Sequence, residues 1–522
     1  MGAMPDPRLN AAPPGFNPER DLPSGFWAFY APLHRAFTRR QQALAAARKA
    51  TLAAAHRGTL PDHLPPSPAT TGDWRITLPV WCQDQRNQMT GPADDGELVV
   101  KMLNSGAPGV MLDLEDSMAN AWPNLMQGVS NILSALRGEL TYEDGKRSRT
   151  VGIEPSTTVI WSRVRGLHLS QAGLLPGEDL TSATLFDLAL ITYQIEAARL
   201  RHPLCFYIPK SESAEEARWW AEVFHALERA KQWPERTIRC MALVESHPLA
   251  YQMEEFLYHL RDHILGLNLG RWDYMASLIH FTLADPTWVL PDRNTIPHDV
   301  PFFQRVRHLL ADICHRRGGL AIGGMTALYP SREDAALNAR ALAVLEQDKK
   351  NEASCFMDGA WTGHPDQNAI AVAQFPAPNQ LAARPPGVER YPDLRPVPAG
   401  VGRHSLDGTR AAVRTTIRYR NGVLNGRGAS LLDGYMEDLA TDRIYRLMLA
   451  QRMVHRDEVP LADGSGAAMP HTQEFTSRLF DEELTRLLDS PVPGRDLGGP
   501  ETMREARNLS ELLIRNGWFS PV

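Results

Sequence analysis

The stretch Gly109-Val-Met-Leu-Asp113-Leu-Glu-Asp116 begins as an unbroken apolar run and ends in a cluster of carboxylates. A short apolar run without polar alternation suits a strand buried on both faces, the condition of a parallel sheet covered by helices. Outward from it, comparable runs recur at 157–164, 204–208, 238–244, 264–269, 320–322 and 354–357, with a further candidate at 87–90. Each is followed by residues of helical composition. Eight strands alternating with helices predict an α/β fold of the TIM (β/α)8 type. A doubly wound open sheet would place a GxGxxG turn after its first strand, and none stands there.

The chain has 522 residues and a net charge of −6, so it lacks the basic excess of a nucleic-acid binder. No window approaches the ~18 consecutive apolar residues of a membrane span. No basic segment leads into an apolar run near the start, so no secretion signal is expected. The five cysteines are widely spaced and odd in number. That predicts buried reduced thiols, and with them a cytoplasmic protein. An Ala- and Arg-rich stretch predicts a long helix over 31–57, closed by Gly58 and Pro61. Seven prolines between 376 and 398 exclude helix and central strand there, so that stretch reads as a linker.

The predicted strand ends carry charge. The runs lead into Asp113-Leu-Glu115-Asp116, Arg163-Val-Arg165, Lys210, Glu245, Asp273 and Asp358. In a barrel the C-terminal strand ends form one rim, where the chemistry sits. Several carboxylates and a few cations gathered there predict a divalent-metal site facing an anionic ligand. No Cys or His cluster accompanies them, and an oxygen-only donor set favours Mg²⁺ over zinc. Glu245 and Asp273, on neighbouring strands, are the expected direct ligands. Asp113 and Glu115 are expected behind them, reaching metal-bound water.

Five separated motifs, in order, carry a resemblance: Val164-Arg-Gly-Leu-His-Leu169, Ile208-Pro-Lys210, Gly266-Leu-Asn-Leu-Gly-Arg-Trp-Asp-Tyr274, Asp358-Gly-Ala-Trp-Thr-Gly-His-Pro365 and Met436-Glu-Asp-Leu-Ala-Thr441. The chain resembles the malate synthases of the A type, from about residue 74 to 453. The resemblance implies an N-terminal arm and helical clasp over 1–85, the barrel over 86–375, a linker over 376–402, and a C-terminal helical domain over 403–522 covering the barrel mouth. It implies Mg²⁺-dependent Claisen condensation of acetyl-CoA with glyoxylate, then hydrolysis of malyl-CoA to malate and CoA. By the same resemblance Glu245 and Asp273 hold Mg²⁺, Arg165 is the catalytic arginine and Asp438 the general base. Gly270, Arg271 and Trp272 would bind glyoxylate, while Trp361 and Pro365 would face CoA. Competing readings are a lyase for malyl-CoA-type thioesters and a catalytically inactive CoA-binding protein.

Two further features are read as structural. His259 and His263 stand at i and i+4, but Leu260 occupies the position where a metalloprotease motif needs Glu, so a surface pair is expected. Gly323-Gly324 reads either as a tight turn or as a close approach to ligand.

Overall fold

A computed structural model describes residues 10–175, 179–395, 401–455 and 470–516. The last two prolines of the 376–398 stretch lie outside them. Eight parallel strands close into a barrel: β1 Asn87–Pro92, β2 Gly109–Asp113, β3 Val159–Arg163, β4 Leu204–Ile208, β5 Ile238–Val244, β6 Ile264–Leu269, β7 Leu320–Met325 and β8 Gly359–Thr362. Each pairs with its sequence neighbours, and Asn87 opposite Ala360 closes the ring. The β2–β3 register sets Asp113 beside Arg163, so the charged ends meet at one rim.

The lumen is packed with side chains. Met111, Trp161, Tyr207, Met241, Leu243, Leu265, Ile322 and Trp361 fill it. Gln88 is a polar residue buried among them, and its Oε1 accepts from Tyr207 Oη at 2.8 Å and Trp361 Nε1 at 3.0 Å. An amide buried in this way is tolerable because its acceptor is satisfied.

Seven of the eight expected strands overlap observed ones, and one does not. Residues 354–357 close the helix Ala335–Ser354 and turn out of it, and β8 begins two residues later at Gly359. Asp358 therefore precedes its strand and lies at the opposite end from the charged rim. There its carboxylate accepts from Ala321 N at 2.7 Å and Gln380 N at 2.6 Å, and pairs with His315 Nε2 at 3.0 Å.

The N-terminal helix spans Phe26–Ala55, starting five residues before the expected boundary and running through Pro32. The stripe Phe26, Tyr30, Leu33 and Phe37 explains the earlier start, since its burial against Phe186 and Trp219 outweighs the bond lost at proline. Arg48 anchors the helix to the barrel's outer layer through two buried bonds to Glu216, at 2.7 and 2.6 Å. The described residues of 376–395 contain neither helix nor strand and lie against the barrel, with Arg384 on Asp312 and the Asp393 carbonyl on Arg305. Beyond them lie helices Leu406–Leu424, Leu439–Val454, Gln473–Asp489 and Pro500–Asn516, the first two connected through an antiparallel hairpin, Ser430–Leu432 with Tyr435–Glu437. No helix among the described residues is long and apolar enough to cross a membrane.

Candidate active site

The charged rim opens into a cavity of about 590 Å³, whose wall includes Asp116, Arg163, Glu245, Gly270, Arg271, Trp272, Asp273, Trp361 and Asp438. Its floor is the top of the lumen core, where Trp361 closes the barrel. Its outer wall comes from the segment beyond the linker, with Arg427, Gly428, Met436 and Asp438.

At the base sits a buried cluster of acids around one ammonium. Lys210, the second residue past β4 and held at φ 47°, donates from Nζ to Asp116, to Asp273 at 2.8 Å and to Glu115 at 3.4 Å. Its backbone N–H donates to Glu245 Oε1 at 2.6 Å. Burial pushes the Glu245 carboxyl up to about 8, against the pull of Lys210 and with the push of Asp273. Burial also acts to raise Asp273, yet Lys210 and Arg443 outweigh it and hold that carboxylate below its ordinary range. Glu115 Oε1, Asp116 Oδ1 and Asp273 Oδ1 are buried without a hydrogen-bond partner. Carboxylate oxygens without a hydrogen bond in a shielded site are costly, and a divalent cation would satisfy them. The donor set therefore fits a hard metal ion.

The helix Arg271–Phe281 starts directly after β6, with Gly270 as its N-cap. Its first-turn N–H groups, unpaired by helix geometry, border the cavity and suit an anion. Gly270 is required by proximity, because a Cβ there would lie 2.7 Å from Glu245 Oε2. Gly323 is likewise a close approach, to the Glu352 carboxylate (2.4 Å from a Cβ) and not to the cavity. Its neighbour Gly324 lies in the cavity wall.

Asp438 reaches this rim from outside the barrel. It caps the helix Leu439–Val454, accepting from Thr441 N at 3.2 Å while Thr441 Oγ1 accepts its backbone N–H. Both flanks are tied to the barrel. Met436 N donates to Ala327 O at 2.9 Å, Leu439 N donates to Asp116 O at 3.3 Å, and buried Arg293 grips Glu437 with two bonds of 2.7 and 2.9 Å. Enclosure first, and then the charges of Asp116 and Asp273, push the Asp438 carboxyl up to about 7. A carboxylate held there is a stronger base than a solvated one.

A family model described as "Malate synthase, TIM barrel domain" matches residues 159–390. A malate synthase of Myxococcus xanthus is 35% identical over 507 residues, covering 94% of this chain and 90% of its own. The chain belongs to the malate synthase family. A malate synthase of Streptomyces clavuligerus is 37% identical over 464 residues, 85% of each chain. Malate synthase A of Escherichia coli is 34% identical over 459 residues, covering 86% of this chain and 84% of its own. The protein is accordingly an acyltransferase of the malate synthase type.

Within that family setting, the structure brings Glu245, Asp273, Gly270, Arg271, Trp272, Trp361 and Asp438 to one cavity. Glu115 joins the acid cluster from behind. Asp113 does not turn toward it, since its carboxylate is taken by two 2.6 Å bonds from Arg163 and by the N–H groups of Glu115 and Ser117. Pro365 lies outside the cavity wall, opening the short turn Pro365–Gln367. Arg165 also lies elsewhere. Its guanidinium is bonded to Asp187 at 2.7 Å and Gln171 at 2.8 Å, within the outer helical layer. The β3 arginine that lines the cavity is Arg163, the last residue of that strand, with its NH1 3.6 Å from both Glu115 and Asp116. Asp116 and Lys210 are the other cluster members to which sequence reasoning gave no role. Both stood in the charged strand ends, and the lone Lys among acids was the available signal.

Proposed function

We propose that this cavity condenses acetyl-CoA with glyoxylate to malyl-CoA and hydrolyses that thioester to malate and CoA. The observation that carries the reading is the convergence of Asp438, from beyond the linker, with Arg163 and the acid cluster of the barrel on one enclosed space. The proposed cofactor is Mg²⁺, held by Glu245 and Asp273 with Asp116 and Glu115 beside them; when bound it would polarise the glyoxylate carbonyl. First-turn N–H groups of Arg271–Phe281 hold the glyoxylate carboxylate. Asp438 takes a proton from the acetyl methyl group. Arg163, one face of its guanidinium fixed by Asp113, stabilises the enolate oxygen, a role worth a few kcal/mol in an enclosed site. The enolate carbon then attacks the aldehyde carbon, forming the new C–C bond as the C=O π pair moves to oxygen, which takes up a proton to become the malyl hydroxyl; water then adds to the thioester carbonyl and CoA leaves as the thiol. The CoA chain enters past the wall carrying Arg427 and Gly428. All five cysteines are free and buried, which supports a reducing compartment and a cytoplasmic protein.

The test is release of free thiol from acetyl-CoA and glyoxylate, followed with a thiol reagent across a panel of acyl-CoAs and oxoacids. Release dependent on both substrates, lost in EDTA and restored by Mg²⁺, is expected. Accumulation of a thioester without free CoA would favour the lyase, and no turnover at all would favour an inactive binding protein.

A further inference from the structure

His263 was set beside His259 in the sequence, yet the fold separates them. His259 stays on the helix Met253–Leu260 and meets Arg218. His263 follows that helix, is fully buried before β6, and faces the helix Ala214–Lys231. It lies at the end of the barrel opposite the cavity, since β5 and β6 both begin there. His263 Nδ1 is 2.9 Å from Ile238 O, a contact only an N–H can make favourably. Its Nε2 therefore presents a lone pair, and 3.4 Å away stands Nε2 of His225.

Beside the two rings is Glu228, one turn along from His225 and 2% exposed. Its Oε1 accepts from Ile238 N at 2.9 Å, while its Oε2 is buried without a hydrogen-bond partner, 3.7 Å from His225 Nδ1. One ligand atom from each of the three residues lies within 4.8 Å of the others, the sole such His/Cys/Asp/Glu group found among the described residues. A lone His–His hydrogen bond leaves this buried oxygen unsatisfied. A shared cation satisfies it together with both nitrogens.

We propose that His225, Glu228 and His263 form a second metal site, separate from the catalytic one and selective for a borderline transition metal such as Zn²⁺ or Co²⁺. Two nitrogens bound at about 2.0–2.1 Å with tetrahedral geometry sit about 3.3 Å apart, close to the 3.4 Å between the two Nε2 atoms. Imidazole donors select against Mg²⁺, so the two sites divide the metals between them. The Ile238 carbonyl behind His263 fixes its tautomer, as partners of metal-bound histidines do. His225, one-third exposed, provides the entry and moves to complete the site. The bound ion would tie the end of Ala214–Lys231 to the start of β6.

The test uses the full chain, stripped with chelator and then kept in excess Mg²⁺, titrated with Co²⁺ as a spectroscopic probe. One equivalent of Co²⁺ should bind with the strong visible absorption of a low-coordinate nitrogen site and raise the melting temperature. In His225→Ala that absorption and that shift should vanish while Mg²⁺-supported turnover is unchanged. Glu228→Gln, which can still accept from Ile238 N, should weaken Co²⁺ by roughly tenfold or more. Absence of a Mg²⁺-resistant equivalent in the unaltered chain would overturn the proposal. So would an unchanged Co²⁺ spectrum in a folded His225→Ala variant.

Discussion

Arg163 and Arg165 stand two residues apart, and strand alternation alone would aim both at the same side. The strand ends at Arg163, however, and the chain beyond it turns so that Arg165 meets Asp187 in the helical layer. The resemblance pointed to the second arginine and the geometry points to the first. Arg163→Lys keeps a charge but loses the fork held by Asp113, so turnover is expected to fall by ~10²-fold or more with metal binding retained. Arg165→Lys should leave turnover within a fewfold and lower the melting temperature, because Asp187 then sits buried with a poorer partner. Steady-state kinetics beside thermal melts distinguish the two, and the reverse pattern would return the role to Arg165. What was legible at this scale was the rim itself: Asp116, Glu245 and Asp273 follow apolar runs of strand length. Which of two near neighbours faces inward depends on where the strand stops, and composition does not mark that residue.

The elements show a similar division. Apolar runs such as 238–244 and 264–269 fell on strands, being of strand length and each followed by residues of helical composition. The run 354–357 did not, since four residues cannot separate a helix end from a strand, and β8 is disguised by Gly359 and by its shortness. The hairpin Ser430–Leu432/Tyr435–Glu437 was not anticipated either, being too brief to alternate. Yet it aims Asp438, with Arg293 clamping Glu437 while its guanidinium lies 5.1 Å from the Trp272 ring and 4.6 Å from that of Tyr445. Arg293→Met removes one partner of a buried pair, a change that typically costs ~3–5 kcal/mol of stability. Because Arg293 positions the base without touching substrate, kcat should drop at least tenfold while Mn²⁺ affinity, read by electron paramagnetic resonance, stays within twofold. An unchanged kcat would mean that the hairpin needs no clamp.

Across the whole molecule, the barrel, the N-terminal helix and the C-terminal helices enclose groups that water would otherwise charge. His247 is fully buried, and burial lowers its imidazole to about 3. In the unfolded chain it titrates near 6.5, so unfolding takes up a proton anywhere between those values. Its contribution is complete above pH 6.5 and is lost as the pH falls toward 3. Relative to a His247→Gln variant, the unaltered chain should lose on the order of 1 kcal/mol of stability per pH unit below 6.5. Denaturant unfolding of both forms between pH 7 and 4.5 measures this, and a constant difference would contradict it.

Asp438, from beyond the barrel, is the residue proposed to complete the chemistry at the barrel mouth. Asp438→Asn preserves size and can still cap Leu439–Val454, but it offers no basic oxygen. The decisive measurement is deuterium exchange into the methyl group of acetyl-CoA, in deuterium oxide with Mg²⁺ and a non-reacting glyoxylate analogue bound. Exchange reports proton abstraction without the later steps. The unaltered chain should exchange, while the folded variant, still binding both ligands, should show none and lose ~10²–10⁴-fold in turnover. Exchange at the unaltered rate, or turnover above about a tenth of it, would show that Asp438 only caps its helix.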